Sequence, residues 1–269
     1  MGVASASAKP GERIYLVVRT RSIFACLLHW ILFTAIMILA VTGLYIGDPE
    51  YYFGRGEAWQ AFAMANMRTI HMVAGFTVIA VLLMRFYLSF TPGCHFDLKQ
   101  ILPTWSNISG AVKLAKFFVT LRGPHAHYRF INPLGGIGVF MMILFMAAQV
   151  VTGVLLFLPG ADPGAWGWAM GIGGWLERAL GGPQEARVIH HLVMYLLMAT
   201  VVIHVYMQIW KGCFFPEADI ASIIAGYKVF PQDMLGHFAD RYGVPRAEHI
   251  PTPDELDRAS TAMREAPGS

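Results

Sequence analysis

The chain has 269 residues, of which 56% are hydrophobic and only 14% are charged, and its mean hydropathy is +0.51. A soluble domain has about a quarter of its residues charged, so this composition excludes an ordinary soluble protein. The formal net charge is only +3, and its distribution follows a membrane topology, so the basic residues indicate no nucleic-acid partner.

Four long apolar runs account for the shortage of charge. A helix of roughly 20 predominantly apolar residues crosses the hydrocarbon core of a bilayer, and each run is long enough to do so. The predicted spans are about 22–47, 67–90, 133–159 and 188–210. The predicted fold class is therefore an all-α membrane protein, a four-transmembrane-helix bundle.

The lysines and arginines concentrate on one side of this topology. Four precede the first span, six lie between the end of span two and span three, and six follow span four, whereas the other two loops with their flanks hold four. The positive-inside rule then predicts cytoplasmic N and C termini. The predicted organisation is a cytoplasmic N-terminal segment (1–21), a membrane domain (22–212) and a cytoplasmic C-terminal segment (213–269).

The connecting segments carry weaker signals. Lysines alternate with apolar residues at helical spacing over Asn107–Arg122, which predicts an interfacial amphipathic helix. The outer loop 161–187 is rich in Gly and Trp, which suits a membrane interface or a docking surface equally well. A short helix is predicted over Pro216–Gly226. The three cysteines form no C-x-x-C or C-x-x-C-H motif, so neither iron–sulfur clusters nor covalently attached haem are expected.

Histidines inside the spans are the main functional signal. An ionisable residue inside a membrane is costly, and histidine is a standard axial ligand of haem iron. His190 and His204 are 14 residues apart, which places both on one face of a helix and separates them by about 21 Å. His191 lies about 140° away from His204 by the same geometry, so His190 is the predicted ligand. His191 is expected at the interface or hydrogen-bonded near a haem edge.

Topology then pairs the histidines by depth. His71 and His190 both lie just inside the outer face, whereas His29 and His204 lie near the cytoplasmic face. The sequence therefore predicts two non-covalent haems b, each bound by two histidines. With both axial positions filled, the iron has no open site for oxygen or substrate, which indicates electron transfer.

Six further residues are candidates for contact with these haems. Small residues let a flat macrocycle approach a helix backbone, arginines near the haem levels suit propionates, and a second histidine lies beside a ligand. Ordinary helix packing is the alternative for the glycines, and snorkelling at the interface is the alternative for the arginines. The candidates are Arg21, Gly43, Arg68, Gly75, Gly153 and His191.

Motifs in all four spans resemble one known family. They are H-W-x(11)-T-G-x-x-I-G-x-P at His29–Pro49, R-x-I-H-x-x-x-G at Arg68–Gly75, L-L-M-R-x-Y at Leu82–Tyr87, N-P at Asn132–Pro133, T-G at Thr152–Gly153, R-x-x-H-H-L-x-M-Y at Arg187–Tyr195, I-H-V-Y-M at Ile203–Met207 and I-x-x-I-I-x-G-Y-K at Ile220–Lys228. Over roughly residues 19–230 the chain resembles the b-type cytochrome subunit of membrane-bound nickel–iron uptake hydrogenases.

The resemblance implies a role for the whole chain. An extracytoplasmic iron–sulfur small subunit, joined to a catalytic large subunit, would pass electrons through both haems to a quinone in the bacterial inner membrane. The chain would be an electron-transfer subunit that does not itself oxidise the substrate. Asn132 and His204 match the quinone-pocket positions of a relative, the gamma subunit of respiratory formate dehydrogenase. Asn132 is equally expected to cap the third span.

Alternatives remain open at this point. Cys26 stands where the hydrogenase family usually has an Arg, and the R-T-R lead at Arg19–Arg21 is more similar to the formate dehydrogenase subunit. The equivalent subunit of that enzyme, or of another molybdenum oxidoreductase, is therefore the nearest alternative. A transporter or scaffold without haem, and a stand-alone superoxide- or iron-reducing cytochrome, are the others.

Overall fold

A computed structural model describes residues 15–19, 21–49, 62–90, 101–121, 131–214 and 219–231. Most of the predicted N-terminal segment, parts of the predicted loops, and residues 232–269 of the predicted tail lie outside these ranges. The elements in chain order are β1 (Tyr15–Arg19), α1 (Ile23–Gly47), α2 (Ala63–Leu88), α3 (Trp105–Thr120), α4 (Pro133–Phe157), a 3-10 turn (Leu158–Gly160), α5 (Pro163–Leu180), α6 (Pro183–Phe214), α7 (Asp219–Ile224) and β2 (Tyr227–Pro231).

Within the described ranges, four helices are long and apolar enough to cross a membrane. These segments are Ile23–Gly47, Ala63–Leu88, Pro133–Gly160 and Pro183–Cys213, with mean hydropathies of 2.4, 1.8, 2.4 and 2.0 in their most apolar windows. The prediction of four membrane helices is thereby confirmed. Helix α2 begins four residues before the predicted span, and α6 extends beyond its predicted span at both ends.

The chain divides into two compact units. One comprises residues 23–96 and 138–206, and thus contains α1, α2, α5 and most of α4 and α6. Its buried core is an apolar cluster to which α1, α2, α4 and α6 all contribute. The members of this cluster are Leu28, Leu32, Ala35, Val78, Val81, Met146 and Leu197. Leu197 lies midway in sequence between His190 and His204, so the cluster lies between the levels of the two histidines along α6.

The other unit comprises residues 1–22, 97–137 and 207–269. Its strands β1 and β2 pair antiparallel, with Tyr15 opposite Pro231 and Arg19 opposite Tyr227. Thr104 caps α3 by accepting a hydrogen bond from the Asn107 backbone N–H. This agrees with the helix predicted near 107–122, whose location at the membrane interface stays a prediction.

Two elements depart from the sequence-based expectation. The segment predicted as outer loop 161–187 contains the 18-residue helix α5, which Asp162 caps by accepting a hydrogen bond from the Ala165 N–H at 3.0 Å. Pro163 occupies its first turn, and Gly181 ends it at φ 106°, a backbone conformation that favours glycine. The strand pair was also not predicted, because its two halves are about 200 residues apart in the chain.

Candidate haem centre

His71 of α2 and His190 of α6 bring their rings close together inside the larger helical unit. Their ring centroids are 6.4 Å apart, and their planes are inclined at 65°. Both side chains are half-buried, and their helices are far apart in the sequence. Packing in this unit therefore brings together the two histidines that the sequence analysis paired at one membrane level.

A threonine from α1 fixes the His71 ring. The Thr42 side chain is buried, and its Oγ1 lies 2.8 Å from His71 Nδ1. The same hydroxyl donates to the Ile38 carbonyl at 2.7 Å. When the hydroxyl hydrogen is given to that carbonyl, Oγ1 can only accept from Nδ1–H, and in this tautomer the proton lies on Nδ1. The lone pair on Nε2 is left for a metal.

The same arrangement recurs at His190 on α4. Thr152 is buried, its Oγ1 lies 2.8 Å from His190 Nδ1, and its hydroxyl donates to the Ala148 carbonyl at 2.7 Å. Gln149, one turn earlier, donates from Nε2 to the backbone carbonyl of His190 at 2.7 Å. Both the ring and the backbone of His190 are thus held by α4.

A glycine follows each of these threonines. A Cβ added at Gly43 would lie 3.2 Å from Cε1 of His71, and one at Gly153 would lie 3.3 Å from Cε1 of His190. These two positions were predicted to give room to a macrocycle, which stays a prediction, and the structure shows that they give room to the imidazole rings of His71 and His190. A Cβ at Gly75 would meet no atom of the described residues within 4 Å, which leaves space beside His71.

The spacing of the pair meets one requirement for a haem iron, and the neighbours His190 and His191 have the same centroid spacing of 6.4 Å. A histidine nitrogen binds a transition metal at about 2.0–2.1 Å and lies about 1 Å from its ring centre, so two imidazoles on opposite sides of one iron have centroids about 6 Å apart. Across the described ranges, no group of three or more His, Cys, Asp or Glu side chains is placed to hold a metal ion. Two protein ligands suffice for haem, because the macrocycle supplies the other four nitrogens.

The second predicted pair lies at the other end of the helices. His29 is half-buried on α1, and its ring makes an edge contact with Trp30 at 6.0 Å. His204 is half-buried on α6, 14 residues after His190. Nη2 of Arg85 donates to the Ala25 carbonyl at 3.2 Å, which joins the end of α2 to α1 one turn before His29. The assignment of His29 and His204 to a second haem stays a prediction.

The other predicted site residues occupy distinct positions. His191 donates from Nδ1 to the Arg187 carbonyl at 2.9 Å, and its Nε2 lies against Gly47 at the end of α1. Arg68 is exposed in the first turns of α2. The Arg21 backbone N–H donates to the Gly226 carbonyl at 3.1 Å, beside the strand pair.

Asn132 lies at the start of α4. Its Oδ1 accepts a hydrogen bond from the Gly135 N–H at 2.6 Å, and its backbone carbonyl accepts from the Gly136 N–H at 2.8 Å. These bonds satisfy donors that a helix N-terminus otherwise leaves without partners. The cap that the sequence analysis expected as one alternative is therefore present, and the quinone role of Asn132 stays a prediction.

Three residues of the site were not predicted from sequence: Thr42, Thr152 and Gln149. The two threonines belong to T-G pairs that the family motifs contain, but a Thr in an apolar helix commonly bonds only to its own backbone. The repetition of T-G opposite two histidines was the signal that could have found them. Gln149 is the one amide side chain in the third apolar run. A polar side chain inside a membrane span is costly, so its presence was a signal that could have pointed to the site.

The fold and this histidine pair define a class, a multi-pass membrane cytochrome of the b type. Residues 20–226 match the family model described as prokaryotic cytochrome b561, and the chain belongs to that family. The match covers all four membrane helices and both histidine pairs.

Curated relatives narrow the comparison. The chain is 30% identical over 209 residues to a protein of Rhizobium leguminosarum bv. viciae, and the aligned region covers 75% of this chain and 84% of the relative. It is 28% identical over 206 residues to a protein of Cupriavidus necator, covering 75% and 83%. Both relatives are described as probable Ni/Fe-hydrogenase B-type cytochrome subunits. A probable Ni/Fe-hydrogenase 1 B-type cytochrome subunit of Escherichia coli K12 is 27% identical over 203 residues, covering 74% and 86%.

Proposed function

We propose that this chain is the dihaem cytochrome b subunit of a membrane hydrogenase and carries electrons from that enzyme to the quinone pool. The observation that carries the proposal is the His71–His190 pair, whose ring centroids are 6.4 Å apart and whose Nδ1 atoms each meet a threonine hydroxyl at 2.8 Å. Family membership and the names of the relatives support the choice of haem b and of hydrogenase as partner.

Each part of the chain has a defined task in this proposal. When bound, haem supplies a one-electron redox step at iron. His71 and His190 hold one haem on the extracytoplasmic side, and His29 and His204 hold the second on the cytoplasmic side. The central apolar cluster fills the bundle between the two levels, which are about 21 Å apart along α6. Arg68 is the candidate for the propionates of the first haem, and Arg21 for those of the second.

The remaining assignments come from the resemblance. An iron–sulfur small subunit with its catalytic large subunit delivers electrons at the extracytoplasmic face of the bacterial inner membrane. The quinone accepts them near the cytoplasmic face, where Asn132 and His204 match the pocket positions of the formate dehydrogenase relative. The equivalent subunit of a formate dehydrogenase remains the second candidate, because Cys26 replaces the usual Arg and the R-T-R lead is retained.

Haem counting tests the central proposal. The purified chain is expected to show a b-type reduced-minus-oxidised spectrum and two haems per chain by pyridine haemochrome assay. His71→Ala and His190→Ala should each remove one haem, the same one, because both ligands serve one iron. His29→Ala should remove the other. His191→Ala is the matched control and should keep both. A chain without any b-type spectrum, or loss of a haem only from the His191 variant, would contradict the assignment.

Co-purification distinguishes the two catalytic partners. The chain is expected to bring down an iron–sulfur subunit with a nickel-containing large subunit when it is solubilised in mild detergent. Hydrogen should then reduce both haems, whereas formate should not. A molybdenum-containing partner, with haem reduction by formate alone, would favour the second candidate over the first.

A further inference from the structure

The sequence Thr-Gly occurs on both helices that lie against the histidine pair. Thr42-Gly43 of α1 contacts the His71 ring, and Thr152-Gly153 of α4 contacts the His190 ring. In each case the threonine bonds to Nδ1, while the glycine leaves space for Cε1 of the same ring. The same Thr-Gly arrangement therefore contacts each histidine ring, although the four helices involved differ in sequence.

We propose that Thr42 and Thr152 are positioning residues that hold the two axial imidazoles in a steeply inclined arrangement and lower the reduction potential of the haem between them. This inference rests on the proposed function, because it requires a haem at the His71–His190 pair. It goes further because it assigns an influence on the EPR signal and the reduction potential of that haem to two residues that would not bind the iron.

The hydrogen bonds fix the direction in which each ring can face. A threonine side chain is stiff in a helix, and each hydroxyl is held further by its bond to a backbone carbonyl at 2.7 Å. A hydrogen bond from Nδ1–H to this fixed hydroxyl oxygen restricts rotation of the imidazole about its Cβ–Cγ bond. The two rings consequently lie at 65° to one another, because their threonines approach from different helices.

The inclination has a spectroscopic consequence. Parallel axial imidazoles split the two iron d orbitals that bond with them, which gives a rhombic EPR spectrum in the ferric low-spin state. Steeply inclined rings leave these orbitals close in energy, and the ferric haem then shows a large g-max signal. The 65° angle therefore predicts the large g-max form for this haem.

The same bonds affect the potential. Donation from Nδ1–H to an oxygen makes the imidazole a stronger electron donor, which raises the basicity of the ligand and favours ferric iron. Removing one acceptor is expected to shift the preference toward ferrous iron. A tenfold change in that preference corresponds to about 59 mV for one electron, which sets the size of the expected upward shift.

Isosteric and conservative variants test the assignment. Thr42→Val and Thr152→Val remove the acceptor with little change of shape, whereas Thr42→Ser and Thr152→Ser keep it. Thr200→Val is the matched control, because the Thr200 hydroxyl bonds to the Leu196 carbonyl at 2.8 Å on the same helix as His190. The measurements are haems per chain, EPR of the oxidised protein, and a potentiometric titration of the purified membrane complex.

The wild type is expected to keep two haems, one of them with a large g-max signal. Each Val variant should shift that signal and raise one of the two potentials, or lose that haem alone, and the Ser variants should restore the wild-type behaviour. Unchanged EPR and potentials in both Val variants, or equal effects of Val and Ser, would overturn the positioning role while leaving the haem assignment intact. A wild-type chain without haem would instead refute the proposed function itself.

Discussion

His190 and His191 are neighbours in sequence but have different surroundings. Helix α4 holds His190 at two points, since Thr152 bonds to its ring and Gln149 to its backbone carbonyl. The ring of His191 bonds to the Arg187 carbonyl of its own helix and contacts Gly47 of α1. The proposed role of His190 as an iron ligand requires a fixed ring orientation, and the hydrogen bond to Thr152 on another helix supplies it.

Two glycines on α4 allow the effect of one added methyl group to be compared beside His190 and away from it. Gly153→Ala places a methyl group 3.3 Å from Cε1 of His190, so the ring must shift by a few tenths of an ångström. Gly138→Ala meets no atom of the described residues within 4 Å and should stabilise α4 by up to about 1 kcal/mol. Only Gly153→Ala is expected to weaken haem retention.

Haem content after detergent purification and the midpoint of thermal unfolding measure the two effects separately. Gly153→Ala should lose haem or broaden its spectrum, and Gly138→Ala should keep two haems with an equal or higher unfolding midpoint. If both variants retain haem equally with unchanged spectra, the close approach of Gly153 to His190 has no part in holding the haem.

At the scale of elements, helix α5 shows how local signals can be hidden. Five glycines within 163–180 favour a loop, and tryptophans occur without a clear pattern in the sequence. The structure nevertheless forms a helix, because Asp162, Pro163 and Gly181 supply its start and its end. Trp166 anchors it through ring contacts with Phe76 at 6.3 Å and Phe157 at 5.3 Å, which are tertiary contacts that composition does not encode.

The Asp162 cap predicts a local effect. Asp162→Ala removes the acceptor for the Ala165 N–H and should cost about 1 kcal/mol in the first turn of α5. Hydrogen–deuterium exchange should therefore be faster in residues 164–167, while the haem content stays unchanged. Asp162→Asn keeps an acceptor and serves as the control. Equal protection of this turn in the Ala variant and the wild type would show that the cap contributes nothing to α5.

The sequence predicted the four membrane helices and the pairing of His71 with His190 for clear physical reasons. A bilayer imposes its thickness on each apolar run, and the alternating direction of the spans places the starts of spans two and four at the same face. Neither rule could predict the bonds from Thr42 and Thr152, because these depend on how helices distant in sequence are rotated against one another. The strand pair β1–β2 was missed for the same reason, since register across about 200 residues leaves no local trace.

For the whole molecule, orientation in the membrane is what assigns each histidine pair to a partner. The proposal places His71 and His190 toward the hydrogenase and His29 and His204 toward the cytoplasm; the orientation of the chain comes from the positive-inside rule, and the extracytoplasmic position of the hydrogenase comes from the resemblance. The native cysteines offer a direct test. Cys213 is exposed near the end of α6, whereas Cys26 is buried in α1.

A Cys94→Ser variant isolates Cys213 as the accessible thiol in this test, because Cys26 is 3% exposed. A membrane-impermeant maleimide should label Cys213 in inverted vesicles but not in intact spheroplasts, since the end of α6 is predicted to be cytoplasmic. Asp48→Cys, at the exposed opposite end of α1, should show the reverse pattern in a Cys94→Ser/Cys213→Ser background. Labelling of Cys213 in intact spheroplasts would show that the orientation is the opposite of the predicted one. His29 and His204 would then face the hydrogenase, and electrons would pass the two haems in the reverse order.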